Sequence, residues 1–454
     1  MTRRLLALLA VMAMVLAACG GDAGTDTTAA APDTTTAAPE PTDGGTDTTD
    51  APTDTTSDSE GEAPSGDPIV VGSTLALTGP LAPTAAIHKV AGDLFVERLN
   101  ASGGLLGRPV EWRVLDDESV ADQAAALYER LITEDQVDLI IGPYGTGAIA
   151  AAIQVAERYG YVYNQHTGSL TYAFTYECHF PSWPTGRYPN ATNPELVYDA
   201  LESTGNPPET IAFVINQFPG SMFVAYGNPD TGDPQDAVGA KQLAEERGYE
   251  VVLDVQYPLD ISDWSPIAAQ VRDADPDFVY LGALGVDGPN LLAALDALDY
   301  QLDGIFMQWP APGPVLGAGE SAEGVLSVTA FESHAPFTDD PEYAEVADAF
   351  REAATEAGIP YPEMETQASA SWAAWETLVA GVEGAGDVDN EAACEYLRNN
   401  PVSTIFGDYQ YGTESNNYYG DISYIKQVQD GDWWVVYPEE NAAPDRTLEY
   451  SPGS

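Results

Sequence analysis

From Pro68 onward, short apolar runs alternate with helical patterns in an order that few folds accept. "PIVVGSTLAL" reads as a strand, "TAAIHKVAGDLFVERLNASGG" as a helix closing on glycines, and "GRPVEWRVLDD" as a second strand. A helix over about Val120–Glu134, the strand "VDLIIG", a helix over Ala148–Tyr159 and the strand "YVYNQ" follow. Runs such as "VDLIIG" show no polar alternation, which suits strands covered by helices on both faces of a parallel sheet. The rhythm breaks over 171–193, a stretch dense in Pro, Thr and aromatic residues, and then restarts with "TIAFVIN". Further strands are "YEVVLDVQYP", "DFVYLG", "GIFMQW" and "EGVLSVTAF", interleaved with helical patterns, and the end "GDYQYGTESNNYYGDISYIKQVQDGDWWVVYP" reads as β. The expectation is two α/β lobes with a first boundary near residue 188.

The first 67 residues belong to neither lobe. Residues 1–19, "MTRRLLALLAVMAMVLAAC", join a basic end to an apolar run and then to small residues before Cys19. The basic end and short apolar run fit an export signal, and the run is shorter than the roughly 20 residues that span a bilayer. The small residues resemble a bacterial lipobox, which makes Cys19 the expected lipidation site and places the protein on the outer face of the cell membrane, or in the periplasm, lipid-anchored. Residues 20–67 are Thr, Asp, Ala, Pro and Gly with almost no apolar bulk. Such a composition buries too little surface to offset the entropy of ordering, so it reads as a disordered tether.

Acids outnumber bases 72 to 16, a formal charge of −56, with lysine only at 89, 241 and 426. Phosphate-rich partners need a basic surface, so nucleic acid is excluded. The excess fits either a solvated acidic coat or an adaptation to high salt, where screening relieves self-repulsion. After Cys19 only Cys178 and Cys394 remain. An oxidising compartment favours a bridge between them over two free thiols, and no clustering of Cys or His suggests a metal site.

The stretch that offers chemistry is "VDLIIGPYGTGAIAAAIQVAERYG". A dinucleotide loop would need an acid at the end of the next strand. That strand ends in Asn164 and Gln165. No phosphate-loop lysine, G-x-S-x-G or H-E-x-x-H occurs, and His88, His166, His179 and His334 are scattered. No enzyme and no cofactor are indicated. A helix starting at about Gly147 would aim unpaired N–H groups at the turn. Thr146, Thr167 and Ser169 add hydroxyls. These features suit a small carboxylate, or simply a tight turn with a helix cap.

In order along the chain, "IVVGSTLALTGPLAPTAAIHKVAGDLFVERLNASGGLLGRPVEWRVLDDESVADQA", "DLIIGPYGTGAIAAAIQVAERYGYVY", "DWSPIAAQVRDADPDFVYLGA" and "QVQDGDWWVVYP" resemble the branched-chain amino-acid-binding family of ABC-importer solute receptors. The resemblance implies a type 1 periplasmic-binding fold: two doubly wound parallel-sheet lobes, a three-crossover hinge and a cleft between. It assigns 68–187 with 327–400 to lobe 1, 188–326 with 401–440 to lobe 2, and 441–454 to a tail. The crossings then fall near 188, 327 and 402. Carried over position by position, Tyr144, Gly145, Thr146, Thr167 and Ser169 would hold the ligand carboxylate, with Pro83 and Thr84 near its side chain. Phe218 or Pro219, Leu284, and Trp309 or Pro310 would come from lobe 2, and Trp183, Phe218 and Trp309 would pack on a ring or alkyl chain. Cys178 and Cys394 would both lie in lobe 1.

Lobe 2 departs from the family pattern, in which an aromatic hydroxyl and an acid commonly receive the ligand ammonium. Leu284 stands where a tyrosine would be, and "FMQWPAPG" where the acid would be. A buried ammonium without an anion costs several kcal/mol, so an uncharged-tail acid or amide is favoured unless Glu332 or another acid reaches in. The expected protein is a receptor handing a small solute to an ABC permease. The alternative is a sensory receptor of the same fold.

Overall fold

The computed structural model describes residues 63–183, 185–412 and 417–453; the expected export signal, Cys19 and the expected tether as far as residue 62 lie outside them. Strands β1 (Ile69–Leu75), β2 (Val110–Asp116), β3 (Leu139–Ile141), β4 (Tyr163–Gln165) and β5 (His179–Pro181) form one parallel sheet in the order β2-β1-β3-β4-β5. A second sheet contains β6 (Thr210–Asn216), β7 (Glu250–Tyr257), β8 (Phe278–Gly285), β9 (Ile305–Pro310) and β10 (Leu326–Thr329). Between them in the chain lies a small hairpin pairing β11 (Val402–Thr404) with β12 (Gly407–Tyr409), and β13 (Tyr424–Gln429) and β14 (Asp432–Tyr437) then complete the second sheet. Its order is β14-β13-β10-β9-β8-β6-β7, parallel except for the pairings of β13 with β10 and β14.

Helices α1 (Ala82–Ala101), α2 (Ala121–Thr133) and α3 (Thr146–Tyr159) follow the first strands. In lobe 2 come α4 (Pro189–Ser203), α5 (Pro219–Tyr226), α6 (Ala240–Glu246), α7 (Ser265–Ala274), α8 (Asp287–Asp296) and α9 (Pro312–Leu316). The chain then forms α10 (Pro341–Glu356), α11 (Thr366–Ala385) and α12 (Asn390–Asn399), which return to lobe 1.

Both faces of each sheet are covered, as the unbroken apolar runs require. In lobe 1, Ile87, Phe350, Trp375 and Leu397 from α1, α10, α11 and α12 pack on one face with Ile69, Val71 and Leu139. Tyr128, Leu131, Ile149 and Ile153 from α2 and α3 pack on the other with Ile140 and Tyr163. In lobe 2, Val214, Leu281 and Met307 face α7 and α8, while their neighbours Phe213, Tyr280 and Phe306 face α4 and α6. This is the two-residue alternation of a strand, and each such side chain contributes about 1.5–3 kcal/mol on burial.

The fold is therefore two doubly wound lobes joined by three crossings. The chain leaves lobe 1 after β5 and enters lobe 2 at α4. Residues 171–193, read in the sequence only as a break, hold β5 and the start of α4. That helix begins on Pro189, whose fixed φ suits a first helical position, and carries Pro194 within it. The second crossing follows Thr329, because β10 belongs to the second sheet.

The third crossing corrects the expectation near 402. Val402, Ile405, Tyr411 and Tyr419 pack in the lobe 1 core, and the chain reaches lobe 2 only at β13. Alternation in the sequence marks a strand but does not say which sheet receives it. The 441–454 segment is also tied down as far as Gly453. The Tyr450 ring meets Phe278 edge-on at 5.8 Å, and its hydroxyl donates to the Asp277 carbonyl at 3.1 Å. Thr185 and Asp421 form an antiparallel bridge, so the first and third crossings run side by side.

Candidate ligand-binding cleft

In both sheets the strand order reverses at one point, between β1 and β3 in lobe 1 and between β6 and β8 in lobe 2. Loops leaving neighbouring strands diverge at such a point and leave a crevice beyond their carboxyl ends. The two crevices face each other. A cavity between them, with an empty volume of about 380 Å3 that is partly open to solvent, is lined from both lobes.

The lobe 1 side is built around the start of α3. Gly145 caps the helix with φ +94°, a conformation that a side chain would strain. Its N–H points to the Thr167 hydroxyl at 3.5 Å. The Thr146 and Ser169 hydroxyls are 3.3 Å apart, and the Ser169 N–H donates to the Thr146 hydroxyl at 3.3 Å. The first N–H groups of α3 have no partner within the helix, and its dipole favours an anion there.

Beneath this turn lies an uncharged stack. The His88 ring stacks on His166 at 4.2 Å and lies 4.8 Å from the Tyr144 ring. Burial pushes the His166 imidazole down to about 3 and His88 well below its usual range, so both are neutral at physiological pH. Burial also raises the Tyr144 phenol to about 12. His88 Nε2 donates to Gln367 Oε1 at 3.0 Å, and Gln367 also lines the cavity.

The lobe 2 side is apolar. Phe218 precedes α5, Leu284 lies near the end of β8 and Trp309 near the end of β9; Trp183, in the first crossing, completes the wall. Gly220, the second residue of α5, comes so close to lobe 1 that a Cβ there would meet the Ser169 hydroxyl oxygen at 2.2 Å. No side chain with a formal charge stands among the described lining residues. Such a site can hold an anionic head by N–H and O–H donors and an apolar body by rings.

A family model described as periplasmic binding protein matches residues 68–432. This chain belongs to that family. It is 22% identical over 345 residues to the leucine-, isoleucine-, valine-, threonine- and alanine-binding protein of Pseudomonas aeruginosa, an alignment covering 73% of this chain and 82% of the other. Among solved structures, an ABC transporter solute-binding protein from R. palustris in complex with benzoate superposes with a TM-score of 0.67 at 19% identity. That match covers 85% of this chain and 99% of the other. The branched-chain amino-acid transporter substrate-binding protein of Streptococcus pneumoniae, in complex with isoleucine, superposes at 0.64 with 16% identity, covering 81% and 98%. At these identities the superpositions establish the fold. Proteins of this family are extracytoplasmic solute-binding receptors rather than enzymes.

In this periplasmic binding protein, Tyr144, Gly145, Thr146, Thr167, Ser169, Trp183, Phe218, Leu284 and Trp309 all line the one cavity. Pro83 and Thr84 do not. Pro83 is exposed in the first turn of α1, and Thr84 lies buried behind the wall, where its hydroxyl partners that of Tyr144. Glu332 does not reach in either: its carboxylate takes the Lys426 ammonium at 2.7 Å. Leu81, Gly168 and Gln367 also line the cavity. Leu81 lies two residues before Pro83, and Gly168 lies between Thr167 and Ser169, so both adjoin positions named from the sequence. Gln367 gives no local signal, since a polar residue in the first turn of a helix looks like a capping group. Cys178 and Cys394 are bonded to each other. Among the described residues no group of His, Cys, Asp or Glu is arranged to hold a metal, and no helix is long and apolar enough to cross a membrane.

Proposed function

We propose that this protein captures a small monocarboxylate with an aromatic or aliphatic body and no ammonium group, and delivers it to an ABC permease. The observation that carries this is the division of the cavity: donors without formal charge at the start of α3, rings and Leu284 opposite, and no acid between. An amino acid's ammonium buried there would lack a counter-ion, at a cost of several kcal/mol. The benzoate complex of the R. palustris protein supports this ligand class, and the isoleucine complex marks the competing one. Closing the lobes buries the ligand, and a permease that reads the closed state receives only loaded receptor. Lipidation at Cys19 would keep the receptor beside that permease.

Thermal melting against aromatic acids, aliphatic acids, amides and amino acids tests the reading. A ligand at about 100 times its Kd adds about 2.7 kcal/mol, a visible shift. The shift is expected with benzoate- or hexanoate-like acids and abolished by Thr146→Ala with Ser169→Ala. A shift confined to leucine-like amino acids overturns the proposal.

A further inference from the structure

Behind Trp183, Trp309 and Gln367, which it shares with the ligand cavity, lies a second, narrow chamber whose empty space, about 280 Å3, includes volume open to solvent. Its walls differ in kind, for Gln308, Glu365 and Lys426 stand in them. We propose that this chamber receives the far end of the ligand, and that this end is a neutral group able both to donate and to accept a hydrogen bond, such as a hydroxyl or a carboxamide. The inference rests on the monocarboxylate reading above and extends it to the opposite end of the same molecule.

Three observations carry it. Gln308 on β9 is fully buried, and neither its amide oxygen nor its amide nitrogen has a partner. Buried amides are rarely left so, and a side chain that offers one donor face and one acceptor face is satisfied by a group offering the reverse. The charged groups around it are already engaged. Lys426 Nζ lies 2.7 Å from Glu332 Oε1 and 3.8 Å from Glu365 Oε2. Glu365 Oε1 accepts the Gln367 N–H at 3.0 Å, and the Thr366 hydroxyl accepts the Ala330 N–H at 2.8 Å. Gln308, with an unused donor and an unused acceptor, and the Trp309 indole N–H beside it therefore hold the unused hydrogen-bonding capacity of this wall.

Charge selects among tails. Two carboxylates already share one ammonium, so a second carboxylate on the ligand would meet net negative charge among buried groups. A ligand ammonium would have to compete with Lys426, which already sits between the acids. Burial lifts the Glu365 carboxyl to about 7, so the cluster can relieve its surplus charge by holding a proton instead of recruiting a cation. A neutral tail escapes both costs.

Titration calorimetry on the protein at pH 7.5 provides the test, with benzoate and hexanoate as parents. Each is compared with its terminally hydroxylated and carboxamide forms, its terminal amine and its dicarboxylate. In wild type, the neutral polar tail is expected to tighten binding about tenfold on the scaffold that reaches the chamber. The dicarboxylate is expected to bind at least tenfold more weakly than its parent. Gln308→Leu should erase the gain and leave the parent's Kd within about threefold. Equal affinity for all tails in wild type overturns the inference, since the chamber then holds only solvent. A gain that survives in Gln308→Leu, or an amine tail that binds best, overturns it as well. If parents bind without any gain from a tail, this inference alone fails; if no parent binds, the monocarboxylate reading fails and takes this one with it.

Discussion

Gly220 of lobe 2 and Ser169 of lobe 1 approach so closely that a Cβ on residue 220 would lie 2.2 Å from the Ser169 hydroxyl oxygen. Two lobes joined only by crossings can make such a contact only when the cleft is closed. The glycine is therefore a condition of closure, and it presses on the same hydroxyl pair that faces the ligand head. The Phe218 ring and the Thr146 hydroxyl, 3.2 and 3.3 Å from that virtual Cβ, leave it little room to move aside.

Gly220→Ala separates closure from folding. Within a helix, alanine is favoured over glycine by about 1 kcal/mol, so the ligand-free protein should melt no earlier than wild type. Ligand affinity should fall at least tenfold, because Ser169 must either rotate away from Thr146 or hold the lobes apart. Calorimetry alongside thermal melting reads both quantities. Unchanged affinity would mean that Ser169 turns aside at no cost.

The turn at Gly145–Thr146 was legible in the sequence because one local pattern carries it: an apolar strand, glycines, then a helix with hydroxyls at its mouth. Phe218, Leu284 and Trp309 were placed by likeness to a family, since nothing local distinguishes an apolar residue after a strand from core. Gln367 was not legible. It reaches the cavity from a helix far along the chain, and His88, its orienting partner, is 279 positions away. The hairpin β11–β12 was assigned to the wrong lobe for a related reason. Its alternation is satisfied by pairing with itself and packing on lobe 1, which no short window of sequence records.

Among the described residues, Lys426 is the only cation within hydrogen-bonding reach of Glu332, and both are essentially fully buried. Lys426→Met removes the positive charge and leaves Glu332 and Glu365 facing each other, as their residues do in the bridge between the second crossing and the start of α11. Breaking a buried pair in this way costs about 3–5 kcal/mol. Urea unfolding should show that loss in the midpoint. Lys426→Met combined with Glu332→Gln should recover part of it, because the orphaned charge is then gone. A single variant as stable as wild type would show that the cluster is already neutral.

Glu376 on α11 accepts from the Trp372 indole N–H at 2.9 Å and from the Ile405 N–H at 2.8 Å. Burial nevertheless raises its carboxyl from 4.5 to about 7. The folded protein then holds a proton that the unfolded chain has released, so this group's contribution is full below about pH 4.5 and is lost as pH rises to about 7. Because the residue also borders a surface groove, the loss is about 1–2 kcal/mol rather than the value of the full shift. Glu376→Gln should flatten the decline of stability between pH 5 and 7, whatever its effect on absolute stability. An unaltered slope would place the proton elsewhere.

The Cys178–Cys394 bond joins the approach to β5 with α12, both in the lobe 1 core, across 216 residues of sequence. All of lobe 2 up to β10 lies inside that loop. Cross-links over long loops restrict the unfolded chain most, and losing this one should cost about 2–5 kcal/mol. Cys178→Ser with Cys394→Ser should therefore lower the denaturant midpoint markedly. Ligand affinity should stay within about twofold, because the bond ties lobe 1 to itself and crosses no part of the cleft. Thiol titration of the unfolded, unreduced protein should find neither sulfur free. A variant that keeps its stability but loses affinity would reverse this assignment: the bond would then matter for positioning the crossing that carries Trp183, and lobe 1 would hold together without it.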